Sequence, residues 1–210
     1  MNYNNIKLVL WDYGGVLTES PFLNIKKFES SYNLKANSII KINSKNPFTN
    51  SWAKLEKNLI SYDNFSDRFK EEARSLGITG IAPIKLLQSL EVSLNPNMIS
   101  LLKIISQKYD CACLTNNFKN HFSLKNSNLF NSIKNYFTFI FESSKLGLRK
   151  PEKEIYLHVQ KKLDLMPQEI LFIDDLGINL KPARDLGFIT YKFNNSKETI
   201  NFLKDKLNKL

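Results

Sequence analysis

Leu171-Phe172-Ile173-Asp174-Asp175-Leu176-Gly177 is the stretch on which the fold of this chain turns. The consecutive apolar residues Ile170 to Ile173 predict a strand buried on both faces. Two acids at the carboxyl end of such a strand fall where open α/β sheets bind ligands. Adjacent carboxylates repel each other, so a cation or hydrogen-bond donors must balance them. A hard divalent cation such as Mg²⁺ suits oxygen ligands. A solvated strand-to-helix turn, with Asp175 near the next helix N-terminus, would carry the same residues. Taken alone, the motif leaves both readings open.

Three further segments have the same character. Ile6 to Leu10 predicts a strand that runs into Trp11-Asp12-Tyr13-Gly14-Gly15-Val16-Leu17-Thr18. Glycines directly after an acid allow a sharp turn and close backbone approach, although Asp12 as a plain turn residue would also fit. Cys111 to Leu114 predicts a short strand ending in Thr115-Asn116-Asn117, whose hydroxyl and amide groups can bind phosphate oxygens without adding charge. Gly147-Leu148-Arg149-Lys150-Pro151 reads as a basic loop entering a helix, with Pro151 at the first helical position and Glu152 and Glu154 in the first turn. Lys150 offers a point positive charge to an anion. The order acid, hydroxyl, lysine, double acid, each at a strand end or in the loop beyond, is far more specific than any one segment.

Strands near 6–12, 109–115, 137–142, 170–174 and 188–193 alternate with helices near 96–107, 152–163, 179–186 and 197–209. This pattern predicts an α/β fold with a doubly wound parallel sheet. Between the first two strands, Phe22 to Tyr32, Ala53 to Ile60, Ser66 to Leu76 and Pro83 to Val92 read as short amphipathic helices. Ser61-Tyr62-Asp63 and Gly77-Ile78-Thr79-Gly80 read as turns. The expected division is a core of 1–20 plus 96–210 and a helical insertion of 21–95.

The 210 residues are 42% hydrophobic and 24% charged, ordinary for a globular domain with a modest insertion. No apolar run approaches the ~20 residues of a membrane span, and Met1-Asn2-Tyr3-Asn4-Asn5 lacks the layout of a signal peptide. Cytoplasmic residence, with no membrane partner, is the expectation. Cys111 and Cys113 fall on one face of a strand and read as small buried hydrophobes in a reducing compartment. His121 and His158 are too few and too far apart for a metal cluster. The net charge of +10 raises the question of nucleic acid. Because the lysines recur on nearly every predicted helix and form no single block, a solvated surface explains them and no nucleic-acid partner is expected.

With these residues in place, the chain resembles the haloacid dehalogenase superfamily of aspartate-nucleophile hydrolases, most of which are Mg²⁺-dependent phosphatases. The resemblance rests on Asp12 to Leu17, Leu114-Thr115-Asn116, Arg149-Lys150-Pro151 and Ile173-Asp174-Asp175. Phe172 to Gly187, with Phe139 to Ser143, is most similar to the phosphatase domain at the N-terminus of animal soluble epoxide hydrolase. Epoxide hydrolysis itself is not carried over. The resemblance implies a Rossmann-like core under a helical cap, and a phosphatase of a small phosphorylated metabolite that is a monomer or a homodimer. It implies Asp12 as nucleophile, and Mg²⁺ held by Asp12, the Gly14 carbonyl, Asp174 and Asp175. It implies Thr115, Asn116, Lys150 and Gly15 around the phosphate, with Asn179 supporting the metal shell. Phosphatases of the superfamily usually carry a second aspartate two residues after the nucleophile, to protonate the leaving oxygen. Here that residue is Gly14, a gap shared by some Asp-x-Gly-Gly and Asp-x-Gly-Asn members. Glu19 and Glu56 are candidate substitute acids, though each reads first as a solvated surface residue. A catalytically weak phosphometabolite-binding protein and, third, a metal-free 2-haloacid dehalogenase are the competing readings.

Overall fold

The computed structural model describes residues 3–119 and 124–207. Its elements run β1 (Leu8–Trp11), α1 (Phe22–Ser31), α2 (Ser38–Ser44), α3 (Ser51–Glu56), α4 (Tyr62–Arg74), α5 (Pro83–Ser89), α6 (Pro96–Ile105), β2 (Asp110–Thr115) and α7 (Leu124–Ile133). Then follow β3 (Phe139–Glu142), α8 (Ser143–Leu146), α9 (Lys153–Leu163), β4 (Ile170–Asp174), α10 (Gly177–Asp185), β5 (Ile189–Lys192) and α11 (Ser196–Lys206). The strands form one parallel sheet of order β3-β2-β1-β4-β5. The expected doubly wound architecture is therefore the observed one.

The pleat explains why the sheet is covered on both faces. Val9, Trp11, Leu171 and Ile173 pack with Met98, Leu101 and Leu102 of α6 and Leu203 of α11. Their alternates Leu8, Leu10, Ile170 and Phe172 pack with Ile155, Tyr156 and Val159 of α9 and Leu180 and Ala183 of α10. Successive residues of a strand point to opposite faces, so only strands apolar at every position satisfy both helix layers.

Helices α1 to α5 bury a third cluster of their own, built on Ile25, Phe28, Ile39, Ile42, Phe65, Phe69 and Leu86. The chain leaves and re-enters the sheet layer along one short seam. There Glu19 N–H donates to the Ser93 carbonyl at 2.8 Å and Asn95 N–H to the Leu17 carbonyl at 2.9 Å.

Element ends differ from the sequence expectation for local reasons. Asn50 caps α3 by accepting from Ala53 N–H at 2.8 Å, and Asn58, at φ 56°, stops the helix short of Ile60. Ser61 accepts from Asn64 N–H, so the expected turn Ser61-Tyr62-Asp63 is instead the capped start of α4. Pro151 and Glu152 precede α9, which begins at Lys153, so Pro151 is not its first helical residue. Helices α2, α7 and α8 were not foreseen. Residues 208 and 209, at the end of the last expected helix, and His121 lie outside the described residues.

Register sets the site. Trp11 pairs with both Cys113 and Ile173, so the carboxyl ends of β1, β2 and β4 finish level. Phe172, fully buried in β4, lies under the Lys150 ammonium, 5.6 Å from ring centroid to Nζ. Phe172→Ala is expected to cost about 3–5 kcal/mol in urea unfolding; a loss below about 1 kcal/mol would contradict this packing.

Candidate active site

Asp12 directly follows β1 and continues its ladder, its N–H donating to the Ile173 carbonyl at 2.9 Å. Asp174 is the last residue of β4, and Asp175 begins the turn into α10. Ligand oxygens of Asp12, Asp174 and Asp175 all lie within 4.8 Å of one another. The first and last motifs, over 160 residues apart in sequence, thus meet at one point.

Lys150 comes from the loop before α9 and is 1% exposed. Its Nζ stands 2.7 Å from Asp12 Oδ1 and 2.7 Å from Asp174 Oδ2. Asp174 also accepts from Leu176 N–H at 2.8 Å and, through both oxygens, from Asn179 Nδ2 at 3.0 Å. Asn179 is held in turn by the Tyr156 hydroxyl, which donates to its carbonyl at 2.7 Å. Asn179 therefore orients Asp174.

The site is electrostatically incomplete. With all three carboxyls ionised, one ammonium would leave two negative charges uncompensated. Burial pushes the Asp12 carboxyl well above its ordinary value; Lys150 pulls it back, while Asp174 and Asp175 add to the rise. Burial and then Asp174 push Asp175 up to about 6. Burial lowers the Lys150 ammonium, but Asp12 and Asp174 reverse this and raise it above the ordinary lysine range. Closely set oxygen donors with a surplus of two charges fit a hard divalent cation.

Gly15 is required where it stands. It has φ +81°, and a Cβ there would lie 2.4 Å from Asp175 Oδ2. Its N–H donates to Thr18 Oγ1 at 3.2 Å. Gly14 differs: a Cβ there meets nothing within 4 Å.

Thr115 is buried at the end of β2 and lines the cleft with Asp12, Gly14 and Lys150. The Asn116 side chain brackets Lys150, its Oδ1 accepting from Lys150 N–H and its Nδ2 donating to the Lys150 carbonyl, both at 2.9 Å. Sequence reasoning did not anticipate this task. Glu19 is exposed, as read. Glu56 is corrected: far from solvated, it is 7% exposed and bonded to Arg149, Asn116 and Trp52. Its helix packs against loops whose identity the sequence does not reveal. The buried Cys111 and Cys113 form no disulfide, and burial pushes the Cys111 thiol up to about 12. His158 lies half-buried on α9, edge-on to Phe141.

The cleft above these groups has a volume of about 1370 Å³, larger than the ~300–1,000 Å³ of common ligand pockets. Its floor is the carboxylate cluster. Its far wall comes from the helical layer, including Phe22, Ile40 and Trp52.

A parallel α/β sheet with an aspartate after its central strand, a buried lysine and a double acid is thus the arrangement that the chain presents at the carboxyl end of its sheet. The sequence profile of the haloacid dehalogenase-like hydrolases matches residues 6–187, and the chain belongs to that family. It is 30% identical over 203 residues to acyl-CoA dehydrogenase family member 10 of Mus musculus, covering 94% of this chain and 19% of that protein. It is 32% identical over 115 residues to bifunctional epoxide hydrolase 2 of Mus musculus, covering 53% of this chain and 21% of that protein. The chain thus spans about a fifth of the length of these curated relatives. Among solved structures it is similar to a wild-type haloacid dehalogenase family enzyme of Bacteroides thetaiotaomicron in complex with magnesium and inorganic phosphate. That match has a TM-score of 0.64 and 26% identity, and covers 90% of this chain and 94% of that one.

Asp175 provides a test of the charge surplus. Its raised folded-state value means that the metal-free fold carries a penalty above about pH 6, relieved as pH falls through that value. Asp175→Asn is expected to raise the melting temperature of the metal-free protein at pH 7.5 by ~2–4 °C, about 1 kcal/mol, and by less at pH 5. Calorimetric scans in chelator check this; no gain, or a larger gain at pH 5, contradicts it.

Proposed function

We propose that the protein is a Mg²⁺-dependent phosphatase of a small phosphorylated metabolite, a sugar phosphate or similar phosphomonoester. The supporting observation is the cluster of Asp12, Asp174 and Asp175 around buried Lys150, with its surplus of negative charge, on the floor of an open cleft. In this reading residues 21–95 form a cap over a core of 1–20 plus 96–210. The reading suits a cytoplasmic monomer or homodimer with no nucleic-acid or membrane partner. Among the described residues, no helix is long and apolar enough to cross a membrane.

Asp12, Asp175 and the Gly14 carbonyl would hold Mg²⁺, with Asp174 behind them. Bound there, the cation supplies charge neutralisation, which lets a carboxylate meet a phosphate dianion. Asp12 attacks phosphorus, the bond from phosphorus to the leaving oxygen breaks, and that oxygen departs with the electron pair. Water then attacks the aspartyl-phosphate, returning the Asp12 carboxylate and releasing orthophosphate. The Lys150 ammonium and Thr115 hydroxyl stabilise the phosphoryl oxygens as charge moves onto them. The Asn116 side chain is committed to Lys150 and Glu56 and holds the lysine in place.

No acid stands at Gly14 to protonate the leaving oxygen, so that proton comes from solvent. This gap is what supports the second reading, a slow or merely phosphometabolite-binding protein. The dehalogenase reading has less behind it, because displacement of halide leaves the surplus carboxylates without a purpose.

Two assays test the proposal. Wild-type protein is expected to hydrolyse p-nitrophenyl phosphate with Mg²⁺ and not with chelator, and Asp12→Asn to lose at least ~10³-fold in rate while keeping its fold by circular dichroism. Metal-independent turnover, or activity surviving in Asp12→Asn, contradicts the reading. Gly14→Asp has room for its Cβ and is expected to raise kcat by ~10–100-fold; a lower rate would mean that the turn itself needs glycine.

A further inference from the structure

Arg149 and Lys150 are consecutive, yet they serve different layers. Lys150 bonds the catalytic carboxylates, whereas Arg149 reaches the helical layer. Its Nε donates to Glu56 Oε2 at 2.6 Å and its Nη1 to the Pro47 carbonyl at 3.1 Å. Glu56 ends α3, and its carboxylate also accepts from Trp52 Nε1 at 3.0 Å and from Asn116 Nδ2 at 3.3 Å. Asn116 in turn brackets the Lys150 backbone on both sides. One carboxylate of the helical layer thus holds the residue before Lys150 and the side chain that clamps Lys150. The short charge-assisted bond is the one to Arg149, at 2.6 Å, while the bond to Asn116 is longer at 3.3 Å; both end on the same Glu56 oxygen, so α3 is joined to the Lys150 loop firmly through Arg149 and more weakly through Asn116.

We propose that Glu56 is a positioning residue that, through Asn116 and Arg149, makes the placement of Lys150 beside Asp12 depend on the seating of the helical layer. Only the kinetic consequence rests on the phosphatase reading. The neighbouring pair Lys57–Glu152 supplies an internal control. It joins α3 to the same loop region at 2.7 Å, its side chains are 16% and 15% exposed, and it has no contact with Asn116 among the bonds of the described residues. A simple tie between layers would make Glu56 and Lys57 equivalent. A relay through Asn116 makes them different.

Hydrogen exchange read by mass spectrometry separates these cases without any need for activity. Glu56→Gln is expected to speed exchange of the Lys150 amide, which donates to Asn116 Oδ1, by about tenfold. Lys57→Ala should leave it within about twofold of wild type. Glu56→Asp keeps the charge but shortens the reach; it should give an intermediate increase, and it replaces the Gln variant if that fails to fold. In turnover of p-nitrophenyl phosphate, Glu56→Gln should lower kcat about tenfold with little change in KM, and its effect should not add to that of Asn116→Ala. A Lys150 amide that exchanges as in wild type, or that speeds equally in Lys57→Ala, overturns the proposal. So does a kcat effect fully additive with Asn116→Ala. If wild-type protein turns over no phosphate ester, the phosphatase reading fails and the exchange result still decides the role of Glu56.

Discussion

The ammonium of Lys150 between Asp12 and Asp174 is the contact on which the rest of the structure depends. A lysine buried to 1% exposure would be ruinous without partners, and buried charges persist only when their remaining bonds are satisfied. Here they are. Asn179 and the Leu176 N–H complete Asp174, Asn116 fixes the Lys150 backbone, and Tyr156 fixes Asn179. The sheet exists in the form that permits this contact. Strands β1 and β4 are neighbours in register, so two acids distant in the chain finish level, and the Phe172 ring closes the space below the ammonium.

One lysine does not balance three acids, and the imbalance is where chemistry enters. A site neutral in itself would have no use for a cation, whereas surplus carboxylates attract one. The residual negative charge, the Gly15 turn that lets Asp175 approach, and the open cleft above all meet at the carboxyl end of the sheet. The helical layer contributes differently. Its aromatic and aliphatic side chains wall the far side of the cleft, and Glu56 ties it to the loop that carries Lys150.

The sheet was highly legible because its central strands are apolar at every position, a pattern that in a chain of alternating elements has one stable use. Each strand expectation fell within two residues of the observed element. The acids and Thr115 were legible from the strands, since they stand at or just beyond strand ends, whereas Lys150 comes from the loop between α8 and α9. What stayed illegible depends on partners distant in the chain. The stretch Ser38 to Ser44 is short and rich in isoleucine, with Asn37 before it making no side-chain cap, so α2 forms through its packing of Ile39 and Ile42 in the third cluster. The Asn- and Ser-rich α7 likewise lacks a clear apolar stripe. Glu56 looked like a solvated acid because nothing near it in sequence announces Arg149 or Asn116. Asn116 looked free for phosphate for the same reason.

The central claim is that Asp12 takes the phosphoryl group. It is tested most directly by mixing the protein with Mg²⁺ and acetyl phosphate, quenching in acid and mapping the modified peptide by mass spectrometry. The account predicts a phosphoryl group on Asp12 and none when that carboxylate is replaced by an amide. Turnover with the phosphoryl group on another side chain, or with Asp12 never modified, would contradict it.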